Sequence, residues 1–323
     1  MTRLALALLL AVGLPASTLA EPPAAKPVAA EARFVPTFAP PLGQPLLYRL
    51  TTERSTPVVK TQAVFDQQVV FERLGDDGFV MRFQWLRVTQ GGRSYDLAKD
   101  IDSFPVEARA MFAPMAMELD ANGRPLRMRD WQKLREGLID MSPLMARGLE
   151  DDPARRAATE SFLRNFLKRY AALSAEEAVN HMVRGWPQVL AELGSEVELG
   201  REAQSIMQAP SPFSAEPIDY ATAVIWTRTD EGRTLHLTRR STPSPEGLRA
   251  VGEGLTSAVK QFRPPGKRAD PAEIRRMFAD MKLSMQTEID FDRATGLLRK
   301  AVFEKSATTN GQQGTDRITL TAL

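Results

Sequence analysis

The sequence predicts an α+β protein: a curved, largely antiparallel sheet with packed helices and a helical insertion. Three observations carry this. Residues 46–128, and again 221–239 and 283–323, alternate apolar and polar side chains with period two, broken by short Gly, Asp and Asn turns, which is how hairpins read in sequence. Residues 130–194 switch to period 3.6, the helical spacing. The strands also come in groups rather than alternating singly with helices, which separates α+β from a parallel α/β fold. The two β groups are read as one sheet, with two separate subdomains as the alternative.

The elements follow in order. Residues 1–20 (MTRLALALLLAVGLPASTLA) place Arg3 before an apolar run from Leu4 to Leu14, then small residues leading to Ala20. That layout predicts a secretory signal peptide cleaved after Ala20. Residues 21–45 are rich in Pro and Ala and are expected to form a disordered, extended leader, so a single α+β domain is expected over 46–323. Leu46, Tyr48 and Leu50 begin the alternation. A long strand from Thr61 to Leu74, the turn Gly75-Asp76-Asp77-Gly78 and the alternating Phe79, Met81, Phe83 and Trp85 make a hairpin. Gly91-Gly92 starts a shorter element. Met115–Asp120 and Arg124–Met128 flank Ala121-Asn122-Gly123 as another hairpin.

In the helical block, Trp131, Leu134, Leu138 and Met141 share one face. Asp151-Asp152-Pro153 supplies caps and a first-turn proline. Phe162, Leu163, Phe166, Leu167 and Tyr170 form a stripe opposite Arg164, Asn165 and Lys168. Ser174 and Glu177 read as a capping box, and Gly185 and Pro187 break the next helix. A polar linker is expected over 195–219. Ala221–Arg228 and Arg233–Arg239 flank Asp230-Glu231-Gly232. Ser244-Pro245-Glu246 and Asp270-Pro271 each open a helix, the second carrying Ile274, Met277, Phe278 and Met281. Leu283, Met285, Thr287, Ile289 and Phe291 then alternate with polar neighbours, and two further strands close the chain. Both Met117–Arg124 and Glu288–Gly296 end an apolar/acidic strand in a turn, an echo that turn chemistry alone accounts for.

Composition narrows the function classes. The 323 residues are 43% hydrophobic and 25% charged, with 42 basic and 40 acidic side chains, ordinary for a folded domain. No run of like charge suits counterion release on nucleic acid. There is no cysteine, which removes thiol nucleophiles, thiolate zinc sites and iron–sulfur clusters, and a lipidated cysteine after the signal is not expected. No later apolar stretch is long enough for a transmembrane helix. A periplasmic or secreted protein is expected.

The start Gly43-Gln44-Pro45-Leu46-Leu47-Tyr48 and the closing strand–Asp-x-x-Thr-Gly–strand unit at Asp292–Gly296 resemble the half-barrel proteins related to the periplasmic lipoprotein carriers of the bacterial envelope. The resemblance implies a half-barrel-like curved sheet wrapping helices around an apolar cavity for acyl chains. The block 130–194 departs from that compact pattern, and no functional residue is carried across.

Candidate chemistry is sparse. His181 and His236 fall in separate elements, without the short spacing of a zinc helix, and are expected to be surface or hydrogen-bonded structural residues. Ser257-Ala258-Val259-Lys260 matches S-x-x-K, but the companion S-D-N and K-T-G elements are missing. Glu288, Asp290 and Asp292 alternate on one strand face and are expected to form a solvated face beside basic neighbours such as Arg299. No phosphate loop or G-x-S-x-G occurs. Trp85, Trp131, Trp186 and Trp226 suit either a core or a cavity wall. The 13 methionines, among them Met111, Met115, Met117, Met141, Met145, Met277, Met281 and Met285, suit core filling or a promiscuous apolar site.

No catalytic, cofactor or metal residue is assigned, and no cofactor is expected. The expectation is a non-enzymatic exported protein that binds an apolar or amphipathic envelope ligand such as a lipid. The alternatives are an envelope protein–protein interaction module and, less favoured, an unrecognised hydrolase.

Overall fold

A computed structural model describes residues 33–109, 112–150, 152–182, 185–209, 218–261, 281–309 and 311–323. The expected signal peptide, the helix at Asp270-Pro271, Met111 and Met277 lie outside them, as do the side chains of His181, Ser257 and Lys260. In chain order the strands are β1 (Arg33–Phe34), β2 (Leu46–Ser55), β3 (Lys60–Leu74), β4 (Gly78–Gln90), β5 (Arg93–Asp96), β6 (Met115–Asp120), β7 (Pro125–Met128), β8 (Val197–Glu198), β9 (Glu202–Ala209), β10 (Ile218–Thr229), β11 (Thr234–Pro243), β12 (Lys282–Asp292), β13 (Leu298–Thr309) and β14 (Gln312–Ala322). The main helices are α1 (Trp131–Asp140), α2 (Ser142–Leu149), α3 (Pro153–Ala171), α4 (Ala175–Met182), α5 (Trp186–Leu190) and α6 (Pro245–Gln261).

The α+β class holds. A 12-stranded antiparallel sheet runs β7-β6-β4-β3-β2-β14-β13-β12-β11-β10-β9, with β5 also on β4, and does not close into a barrel. β1 and β8 pair separately. The chain divides into two compact units. The helical unit comprises Phe38–Leu50, Ala63–Gly194 and Ala322–Leu323. Of the described residues, the strand unit comprises those from Arg33 to Thr37, Thr51–Gln62 and those within Ser195–Thr321.

In the helical unit, the expected alternation of β4 places Met81 opposite Phe71 and Phe83 opposite Val69, all of them buried. The period breaks at Leu86, where Gln67 pairs Trp85 but Asp66 pairs Arg87. This bulge keeps Trp85 and Val88 on one face. The β6–β7 hairpin forms as expected: Asp120 Oδ1 accepts from the N–H groups of Asn122 and Arg124, each at 2.8 Å. Gly123 turns at φ +84°, and a Cβ there would lie 2.5 Å from the Phe38 ring. Across the hairpin, Glu118 accepts from Arg127 (2.8 Å) and Arg129 (2.9 Å). The Arg127 hydrogen bond holds its carboxyl below the usual range; burial pushes the other way and Arg129 adds to the lowering.

The helices pack as their stripes direct. α3 lies against α1 and α2, and α4 lies against β7 and α5. Leu163 and Leu167 are buried while Arg164, Asn165 and Lys168 are exposed. The Ser174/Glu177 box closes with bonds of 2.8 and 3.1 Å. Trp186 sits edge-on to Tyr48, centroids 4.8 Å apart.

Two expectations about non-strand segments are corrected. The fold begins before Leu46, because Phe38 wedges edge-on between Phe71 and Phe79 at 5.4 and 5.2 Å and the Gly43 N–H donates to Phe71 O. One aromatic outweighs the surrounding prolines in residues 33–45. The expected linker 195–219 contains β8, β9 and the start of β10. β9 escapes a periodicity search because it is exposed on both faces from Glu202 to Ile206 and so shows no apolar alternation.

In the strand unit, Asp292 explains the Asp-x-x-Thr-Gly pattern. Its Oδ1 accepts from the backbone of Ala294 and Thr295 and from the Thr295 hydroxyl at 2.9–3.1 Å, while Oδ2 receives Arg299 Nη2 at 2.8 Å. Burial raises this carboxyl, but Arg299 and Thr295 outweigh it, so it sits below the ordinary aspartate range. β11 runs four residues past its expected end at Arg239, to Pro243. Ser244 Oγ then caps α6 by accepting from the Gly247 N–H at 2.9 Å, and α6 packs on β10 and β11.

Candidate functional site

The strand unit has one apolar face, set by strand parity. On β12, Leu283, Met285, Thr287, Ile289 and Phe291 are all buried. Register carries the face across the neighbours: Ile289 opposes Leu237 and Ala301, and Leu237 opposes Trp226. Trp226 stacks on Phe291 with centroids 5.8 Å apart and planes 19° apart. This end of the face is buried hydrocarbon.

Toward the other end the same face turns polar. The row Thr222–Ser241–Met285–Lys305–Asp316 crosses five strands in register. Thr222 and Ser241 share a hydroxyl–hydroxyl bond of 2.6 Å. Lys305 is buried, 8% exposed, and Asp316 receives Arg54 Nη2 at 3.4 Å. The next row places Arg239 opposite Thr287. Thr287 Oγ1 and Tyr220 Oη are sealed from solvent without a hydrogen-bond partner, in residues 1% and 2% exposed. Burial pushes the Tyr220 phenol far up, so it is a neutral donor. A buried polar group left unpaired costs about 1–3 kcal/mol, and an apolar residue of the same shape would avoid that cost. Thr287 stands directly opposite Arg239 and one row from Lys305, while Tyr220 lies farther along the same face, opposite Pro243, so the face runs from hydrocarbon at one end to polar at the other.

The opposite face collects the acidic candidates. His236 Nδ1 lies 2.7 Å from Asp290 Oδ1, and His236 Nε2 lies 3.1 Å from Thr238 Oγ1. Glu288 accepts from Gln286, and Asp292 is held by Arg299. His236 and Asp290 are each about a third exposed. The expected solvated face beside Arg299 is what the structure shows, and the His236–Asp290 pair is an addition that required the β11–β12 register to see. Among the described residues no three His, Cys, Asp or Glu side chains are placed to hold a metal.

The tryptophans take core positions: Trp131, Trp186 and Trp226 are buried, and Trp85 is half-buried against Phe65. The Trp131 indole N–H donates to Leu173 O at 2.7 Å. Met117, Met141, Met281 and Met285 are buried, and Met115 and Met145 are partly so. In the helical unit, a depression of about 600 Å³ is lined by Met128, Trp131 and the polar Asp130, Gln132, Lys133 and Glu136. It is open and charged, unlike a chain-binding site.

No helix among the described residues is long and apolar enough to cross a membrane. No protein-family model matches the chain, and no curated protein matches it. Among solved structures, the chain is similar to lipovitellin, in a study of its lipid–protein interactions, at 8% identity and a TM-score of 0.40 over 88% of this chain. It spans 25% of the lipovitellin chain. It is also similar to MucB in complex with MucA(peri) at 11% identity and a TM-score of 0.14, covering 86% of this chain and 88% of that one. At these scores neither likeness bears on function.

Proposed function

We infer that this is an exported, non-enzymatic binding protein whose strand-unit face takes an amphipathic ligand with an apolar chain and a hydrogen-bonding head. The carrying observation is the orphaned hydroxyl of Thr287 beside Arg239, where the face passes from hydrocarbon to polar, with a second orphaned hydroxyl, Tyr220 Oη, farther along it. A ligand head group that supplies the missing bond of Thr287 removes the cost of leaving that hydroxyl unpaired. Lys305 and Arg239 stand on the same face, Lys305 opposite Asp316, so a head group there meets charged hydrogen-bonding groups of both signs. The apolar rows around Leu237, Ile289 and Phe291 take the chain, each buried methylene contributing about 0.8 kcal/mol.

The test is titration of a fluorescent fatty acid into the mature protein, with Thr287→Val and Tyr220→Phe as variants. The reading expects saturable binding that the variants weaken about tenfold without loss of fold. Absence of binding, or variants that bind as well as the parent, contradicts it.

A further inference from the structure

The main sheet has two ends, and only one is protected. β7 is four residues long, carries Pro125 and Arg127, and has α4 packed against it. Proline, charge, brevity and a covering helix are the devices that keep an edge from pairing with another chain. β9 has none of them among the described residues. It is eight residues long, contains no Pro, Lys or Arg, and holds a single charge, Glu202. Its one strand neighbour among the described residues is β10. Ile206 at its centre is 76% exposed, more than any other large apolar side chain described.

The sequence of this edge also names its occupant. Residues 203–209 read Ala-Gln-Ser-Ile-Met-Gln-Ala, a near-palindrome about Ile206. Antiparallel pairing of two copies around a two-fold axis at Ile206 sets Ile206 against Ile206, Gln204 against Gln208, and Ala203 against Ala209. Only Ser205 against Met207 joins unlike residues. No like charges meet, because Glu202 falls outside the paired segment, and one face gains an Ile–Ile contact flanked by amide–amide pairs. An isologous contact of this kind closes at two copies.

We propose that β9 pairs antiparallel with β9 of a second copy of this chain, centred on Ile206, joining two sheets edge to edge in a dimer. The chain lacks cysteine, so single-cysteine variants report the register directly. Directly opposed residues in an antiparallel pair have Cα atoms about 4.5–5.5 Å apart, within disulfide reach. The experiment is sedimentation of the mature protein over a range of concentrations, together with mild oxidation of Ile206→Cys, Gln208→Cys, and a mixture of Gln204→Cys with Gln208→Cys chains. The expected result is a dimer that Ile206→Lys weakens at least tenfold with an unchanged circular dichroism spectrum. Ile206→Cys should crosslink to itself, Gln208→Cys should not, and the mixture should crosslink between its two kinds of chain. A monomer at all concentrations, or equal self-crosslinking of Ile206→Cys and Gln208→Cys, overturns the proposal.

Discussion

The two units bury their strand faces with different chemistry. In the helical unit the face is mostly aromatic and aliphatic: Phe71, Phe83 and Met117 are buried on the strands beside a single amide, Gln67, and Tyr48 meets Trp186 edge-on. In the strand unit, a face of similar parity carries Thr222, Ser241, Thr287 and Lys305 among its apolar residues. Unpaired buried polar atoms occur in both units, Ser142 Oγ among them in the helical one, but among these strand residues the orphaned hydroxyl is that of Thr287, where valine would fit at lower cost. Under the proposed function the first face serves stability and the second ligand capture, and the contrast can be broken at either.

The largest expected effect is in the helical unit. Trp186→Ala should cost about 3–5 kcal/mol in urea unfolding, the usual range for emptying a large buried aromatic site; a loss below 1 kcal/mol would mean that this core is not the filled one. Gly123→Ala comes next, at about 1–3 kcal/mol, because its positive φ disfavours an L side chain and the added carbon meets Phe38. Glu118→Gln should cost about 1 kcal/mol at neutral pH, since Arg127 is half-exposed and solvent screens the pair. Its pH dependence has a definite sign. The folded carboxyl titrates below its ordinary value, so its contribution is present above the unfolded pKa and is lost as pH falls through the lower folded one. Parent and Glu118→Gln stabilities should therefore converge in acid, and parallel curves would remove the role given to the arginine pair. The smallest effect belongs to the strand unit: Thr287→Val should change stability by less than about 1 kcal/mol, or raise it, because it replaces an unpaired hydroxyl with a methyl group. A large loss would show that this threonine is a structural partner and that the contrast between the faces is false.

Local chemistry was legible in the sequence where it sets local structure. The Asp120-x-Asn-Gly turn, the Ser174/Glu177 box and the parity of β12 are each defined within a few residues and appear as expected. What escaped depends on pairing between distant strands. Arg239–Pro243 looked like the end of a strand because Arg239 and Arg240 interrupt the alternation, yet Ser241 opposes Thr222 and Met285 in the polar row. His236 and Asp290 meet only through the β11–β12 register. One signal of the site was visible: Thr287 stands in the apolar parity of β12, a polar residue at a position the pattern reserves for hydrocarbon. β9 was hidden because an edge exposed on both faces has no buried pattern to display.

Native mass spectrometry of the gently purified protein reads amphipath binding itself. A bound amphipath on the parent, depleted in a Thr287→Val/Tyr220→Phe double variant that keeps its fold, is the result this account predicts. A bare parent chain that also leaves a fluorescent fatty acid unbound would contradict it.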